Sequence, residues 1–307
     1  MSVSVRKSQP VLVRPLRPVS MRSYIKLSSF DRGLEKMSVT ALLMFEHPIK
    51  DVANTIKTAL SQALVHYYPI AGRMVAGAEA GEVYIRCSGE GVTFVSATVN
   101  CALKEVISMD LSGAGTPLLD ELILCQDVAF GSTDPLLLVQ VTEFSCNGFV
   151  LGVTWNHALA DGAGMVQFLQ AVGELACGFS SPSVVPVRWD DSLFLNSPAS
   201  SAPSQQLLMG SINSIKADFS KRFAGELCTK FEVATAVLWQ CRTRAVKCDP
   251  ETPALYSYVV NVRKHVGAKQ GYYGNCFAGQ LVMATSGIVA SVDIVDLVKM
   301  IKQSKER

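Results

Sequence analysis

Residues 150–166 read VLGVTWNHALADGAGMV, and this stretch decides the fold. An apolar run of β type, Phe149 to Trp155, leads into His157. Asp161 follows four residues later, then Gly162 and Gly164, then a helical pattern. By strand alternation His157 shares a face with Phe149, Leu151, Val153 and Trp155. That face is expected to be buried, and a buried polar ring needs partners or a cavity. Beyond the glycines, Met165, Phe168, Leu169, Val172 and Ala176 recur at helical spacing, and Gly178 suits the helix end. A strand that turns into a helix is the repeating step of α/β proteins. It puts His157 at a junction where such folds commonly carry sites.

Taken alone, H-x-x-x-D is a weak signal. It fixes two positions only, and a single histidine near an apolar strand is more often structural. An imidazole can take a proton near neutral pH, and glycines leave room for a ligand and allow unusual backbone angles.

The wider context is more specific. The H-x-x-x-D-G run from His157 to Gly162 is joined, in order, by LSSFD (27–31), YYPIAGRM (67–74), GEGVTFV (89–95), FEVATAVLW (231–239), NVR (261–263) and YYGNCF (272–277). With these stretches the chain resembles the plant BAHD acyltransferases, which move acyl groups from coenzyme A thioesters to alcohols or amines. The resemblance covers nearly the whole chain. The segment around His157 looks most like the branch that uses benzoyl, acetyl or hydroxycinnamoyl donors with alcohol acceptors in plant specialised metabolism.

The resemblance implies an α/β fold of mixed sheets flanked by helices, in two chloramphenicol acetyltransferase-like domains with a channel between them. It implies His157 as general base in a direct attack without an acyl-enzyme. Asp161 then pairs with an arginine, for which Arg263 in NVR is the best match, and so supports the site together with Gly162. Trp155, Gly164, Tyr273 and Asn275 are candidate channel-lining residues, with core packing the competing reading for the aromatic pair and for Asn275. A second family signature, D-F-G-W-G, does not occur in this sequence, so the second domain is expected to be incomplete. That absence keeps a second reading in play: a non-catalytic relative that binds a ligand or partner without turnover. A serine or cysteine hydrolase lacks its G-x-S-x-G elbow or a plausible cysteine–histidine pairing.

Composition fits a well-buried protein: 49% of the 307 residues are hydrophobic and 18% charged, with a net charge of +2. That charge, with no basic block interleaved with aromatics, argues against nucleic acid as a partner. No stretch approaches the ~20 apolar residues of a membrane-spanning helix. The first twenty residues lack a continuous apolar segment and read as an extended polar arm rather than a signal peptide. The nine cysteines include no C-x-x-C and are odd in number, so neither a zinc site nor a disulfide framework is indicated. Free thiols in a reducing compartment point to a cytoplasmic protein, expected to work as a monomer. Cys146 and Cys276 are rejected as nucleophiles because nothing adjacent in sequence would lower a thiol pKa. No Walker or Rossmann glycine loop is present. Coenzyme A binding is therefore expected to rest on dispersed channel residues; the resemblance implies acyl-CoA as co-substrate, with no bound metal or permanent cofactor.

Residues 37–46, 82–87, 92–96, 136–144 and 149–155 read as strands. Val52, Ile56, Leu60, Leu64 and Tyr67 mark a helix that Pro69 ends. NSPASSAPSQQ, residues 196–206, is polar, rich in serine and without a periodic apolar face. It divides an N-terminal domain, 1–195, from a second unit, 207–307. The second unit is expected to open with a helix near 231–246, followed by strands near 256–263 and 276–285 and a final helix from Val292.

Overall fold

The computed structural model describes residues 3–18, 23–79, 81–106, 117–124, 131, 133–188 and 209–304. The chain divides into two compact units. One comprises Met1–Phe194 with Ala268–Cys276, the other Leu195–Gly267 with Phe277–Arg307. The linker read at 196–206 lies outside the described residues.

In the first unit the elements are β1 (Val5–Lys7), β2 (Val11–Val13), β3 (Tyr24–Lys26), β4 (Ser38–Phe45), α1 (Val52–His66), β5 (Arg73–Ala76), β6 (Val83–Arg86), β7 (Val92–Val99), α2 (Pro117–Glu121), β8 (Leu137–Phe144), β9 (Phe149–Asn156) and α3 (Gly162–Ala176). The main sheet runs β1–β7–β8–β9–β4, with β2 also paired to β7. β7 and β8 are parallel and the other pairs antiparallel, so the sheet is mixed. A smaller antiparallel sheet runs β3–β6–β5.

β9 is buried along its whole length because it is paired on both sides and covered on both faces. On one face the register lines up Leu137, Trp155 and Val39, then Val139, Val153 and Ala41, then Val141, Leu151 and Leu43. The rings of Phe149 and Phe45 stack 4.6 Å apart at the far end of this face. α1 and α3 cover it with Ile56, Leu60, Leu64, Met165, Phe168 and Val172. Each such side chain, once buried, contributes roughly 1.5–3 kcal/mol. Val150 on the opposite face packs with Leu103, Leu122 and Phe144.

The helix ends follow from sequence. α1 stops at His66, and Pro69 sits inside the 3₁₀ turn Tyr68–Ala71 that follows it. A proline lacks the N–H that would continue the α-helical ladder. The N-terminal arm is extended as read, and β1 and β2 lie along the edge of β7.

The second unit contains α4 (Met209–Arg222), α5 (Lys230–Val246), β10 (Pro253–Asn261), β11 (Phe277–Thr285), α6 (Ser286–Ser291) and α7 (Ile294–Ser304). α4 precedes the helix with which the sequence opened this unit. α5 starts with a capping box, in which Thr229 Oγ1 accepts from the Glu232 N–H and Glu232 reaches back to the Thr229 N–H. β10 and β11 pair antiparallel from Pro253↔Thr285 to Asn261↔Phe277. Phe219, Trp239, Val282, Leu297, Val298 and Ile301 form the core of the unit.

Candidate active site

His157 stands one residue past the end of β9, in a turn that leads to α3. The side chain is half-buried, while Ala158, Leu159 and Ala160 around it are fully buried. A buried turn must find partners for its backbone polar groups, and most of them can be named. The His157 N–H donates to Met37 O at 2.8 Å. Asn156 Oδ1 accepts from the Ala158 N–H at 2.9 Å, and its Nδ2 donates to Glu35 O at 2.8 Å. The Leu159 N–H returns to Asn156 O. Trp155 Nε1 donates to Ala160 O at 2.8 Å.

Two consecutive carbonyls of the turn are held by side chains from far along the chain. Asn275 Nδ2 donates to His157 O at 2.7 Å. Arg188 Nη2 donates to Ala158 O at 3.0 Å. Both donors meet at Asp31, which is wholly buried. Its Oδ1 accepts from Asn275 Nδ2 at 2.9 Å, and its Oδ2 lies 3.1 Å from Arg188 Nη2. The Ser28 N–H and hydroxyl also donate to Oδ2. Burial is the largest single influence on Arg188 and would lower its pKa, but the charge and hydrogen bond of Asp31, together with Tyr272 and Tyr273, outweigh it and hold the guanidinium above its ordinary value. Nearby, burial pushes the Tyr272 hydroxyl up to about 12 and that of Tyr273 well above its ordinary value. Burial likewise pushes the Cys87 thiol up to about 12.

Asp161 caps α3. Its Oδ1 accepts from the Gly164 N–H at 2.9 Å, and its Oδ2 accepts from the Cys276 N–H at 3.0 Å. Gly162, at the first helical position, has no heavy atom within 4 Å of where a Cβ would stand. A Cβ at Gly164 would lie 1.8 Å from Tyr273 O, so this glycine lets residues 268–276 run against the start of α3. Gly271, at φ +84°, allows a second close approach, to Val185 O. The Val187 N–H donates to Gly271 O, and the Tyr273 N–H to Val187 O. Gln167 Nε2 also donates to Gly271 O.

Among the other candidates, Trp155 and Tyr273 lie in the core, Tyr273 with its ring centroid 5.0 Å from that of Tyr67. Asn275 is wholly buried in the Asp31 cluster. Arg263 belongs to the second unit, where its N–H donates to Asn261 Oδ1. Cys276 is buried, with its N–H on Asp161. Cys146 is exposed, and here the sequence expectation is corrected: backbone N–H groups of Leu103 and Gly148 lower its thiol pKa. No run of neighbouring residues announces that donor pair, because the turn creates it. Asp31 and Arg188 were not among the sequence candidates. Asp31 sits in LSSFD, and its place as the one charged residue within that stretch was the available signal. Nothing around Arg188 in PVRWD sets it apart.

With the geometry in hand, comparison with known proteins assigns the class. The model of the Transferase family matches residues 1–226 and 211–307. Acyl transferase 15 of Oryza sativa subsp. japonica is 46% identical over all of this chain and 75% of its own length. A myricetin 3-O-glucosyl 1,2-rhamnoside 6'-O-caffeoyltransferase, AT2 of Crocosmia x crocosmiiflora, is 34% identical over all of this chain and 78% of its own. The crystal structure of vinorine synthase shares the fold, with a TM-score of 0.73 at 21% identity, over 98% of this chain and 76% of that one. The chain thus belongs to the Transferase family, as one of the BAHD acyltransferases, and is an acyltransferase of groups other than aminoacyl. Among the described residues, no helix is long and apolar enough to cross a membrane.

Proposed function

We propose that the chain transfers an acyl group of the benzoyl, acetyl or hydroxycinnamoyl kind from an acyl-CoA to an alcohol hydroxyl, with His157 as general base. The observation that carries this reading is the presentation of His157. A half-buried imidazole stands just beyond a fully buried strand, with its backbone N–H and C=O both fixed by hydrogen bonds. A general base needs such fixed placement, within hydrogen-bond reach of the proton it takes. The relative that carries caffeoyl to a sugar oxygen supports the acyl class and the hydroxyl acceptor.

In the proposed step the acceptor oxygen attacks the thioester carbonyl carbon while the imidazole takes the hydroxyl proton. The tetrahedral adduct collapses, the C–S bond breaks, and the imidazolium returns the proton to the departing thiolate. The products are an ester and free coenzyme A, and the imidazole ends as it began. Asp161 supports this arrangement as the cap of α3, tying the helix to Cys276. Acyl-CoA is a substrate in this scheme, and no resident cofactor takes part.

The test is release of free thiol from benzoyl-, acetyl- and hydroxycinnamoyl-CoA, with and without alcohols and amines. An alcohol should accelerate release and appear in an ester product. His157→Ala should lower kcat/KM by about 10²–10⁴-fold at an unchanged melting temperature. A variant turning over at the wild-type rate would refute the assignment.

A further inference from the structure

We propose that Asp31 is a positioning residue for His157, acting through Arg188 and Asn275. The proposal rests on the reading of His157 as the base and adds the device that holds it. Asp31 and Arg188 form an ion pair at 3.1 Å whose side chains are 0% and 3% exposed. A buried pair of this kind is weak evidence for a stabilising role, because well-packed apolar residues of the same volume often serve stability as well or better. What apolar residues could not supply is direction. Arg188 Nη2 points at Ala158 O and Asn275 Nδ2 at His157 O, while the carboxylate of Asp31 receives both groups from the other side. The carboxylate therefore sets the donor positions, and the donors set the two carbonyls next to the imidazole.

Asn275 carries the same message. It is wholly buried, its Nδ2 serves two acceptors, and its Oδ1 has no hydrogen-bond partner among the described residues. An amide oxygen buried without a partner is costly. An asparagine here is suited to bridging Asp31 and the His157 carbonyl and poorly suited to packing alone. The three participants stand at positions 31, 188 and 275 and belong to one compact unit. Their convergence on a two-residue stretch is a feature of that unit's fold.

The experiment compares Asn275→Ala and Asp31→Asn with the wild-type full chain, by kinetics per folded site and by NMR of ¹⁵N-labelled histidine. The sequence has four histidines, so His47, His66 and His265 serve as internal controls. Asn275→Ala removes one neutral amide and leaves the ion pair in place, so it decides the matter if Asp31→Asn does not fold. The expected result is a kcat lower by about 10–100-fold with KM within about threefold, since small misplacements of a reacting group have that effect. The His157 ring resonances should shift or broaden while the other three stay put. Adding Asn275→Ala to His157→Ala should slow the reaction no further. Unchanged His157 resonances in both variants would overturn the proposal, whatever the rate does. So would an Asn275→Ala enzyme with wild-type kcat per folded site while His157→Ala is impaired. If His157→Ala itself keeps the wild-type rate, the base assignment fails, and the ring resonances still decide whether Asp31 and Asn275 position the side chain.

Discussion

Gly164→Ala and Gly173→Ala place the same methyl group on the same helix, α3, and should change stability in opposite directions. A Cβ at Gly173 meets nothing within 4 Å. That substitution should gain most of the helix-propensity difference between glycine and alanine, up to about 1 kcal/mol. A Cβ at Gly164 would stand 1.8 Å from Tyr273 O and 2.7 Å from Tyr273 C, against an ordinary contact beginning at 3.4 Å. The obstacle is backbone, which cannot rotate aside as a side chain would. Tyr273 is itself held by Val187 O and packed against Tyr67. Overpacking in such a place costs about 1–3 kcal/mol or more, and the propensity gain offsets only part of it. A net loss of about 2 kcal/mol corresponds to a fall of roughly 4–8 °C in Tm for a unit of this size. Urea denaturation and thermal melts of the two variants, run beside wild type, measure both signs at once. The same displacement pushes on the segment that carries Asn275, so kcat should also fall for Gly164→Ala and not for Gly173→Ala. If Gly164→Ala melts at or above wild type, residues 268–276 do not lie against α3 as described.

Asp161→Ala removes the cap of α3 and leaves the Cys276 N–H without its acceptor, losses of about 1 kcal/mol and about 1–3 kcal/mol. It should therefore lower the urea midpoint clearly more than His157→Ala, and equal midpoints would contradict this account of its carboxylate. Tyr272 should make the protein alkali-sensitive. Its hydroxyl titrates at about 12 in the folded chain against 10.0 ordinarily, so the folded state holds a proton that the unfolded state has released. The contribution is fully present below pH 10 and is lost as pH rises toward 12, a change of roughly 2–3 kcal/mol. Tyr272→Phe should flatten the fall in urea midpoint between pH 9 and pH 11.5, and an unchanged slope would refute the cause.

Much of this architecture was legible because the long elements have strong periods. β4, β8 and β9 and helices α1, α3 and α5 each carry enough apolar positions to show their repeat. The elements that escaped are short or weakly patterned. β1 and β2 have three residues each, too few to display alternation. α4 has a narrow stripe, Ile212, Ile215 and Phe219, in an otherwise polar run that follows a serine-rich stretch. The site divides the same way. His157 and Asp161 could be named as candidates because their setting is contained in one turn and one helix start. Asp31 and Arg188 were not, because their meaning depends on contacts made across 157 and 30 residues, from Asp31 to Arg188 and from Arg188 to Ala158. A local pattern has no period for a partner that distant.

That division has a consequence for how the site forms. The turn after β9 can be built from local rules alone: Asn156 closes it with Ala158, and Trp155 reaches Ala160. Fixing the His157 and Ala158 carbonyls requires three further segments to arrive, around Asp31, Arg188 and Asn275. The last comes from residues 268–276, which the chain reaches after β10 and before β11. The first unit is therefore incomplete at its site until the chain has run well into the sequence of the second. A shortened chain ending before residue 268 would keep β9, α3 and His157 while losing the amide on the His157 carbonyl and the N–H on Asp161 Oδ2. On the proposed reading, the H-x-x-x-D motif marks where the reaction occurs, and the distant donors hold the imidazole for it.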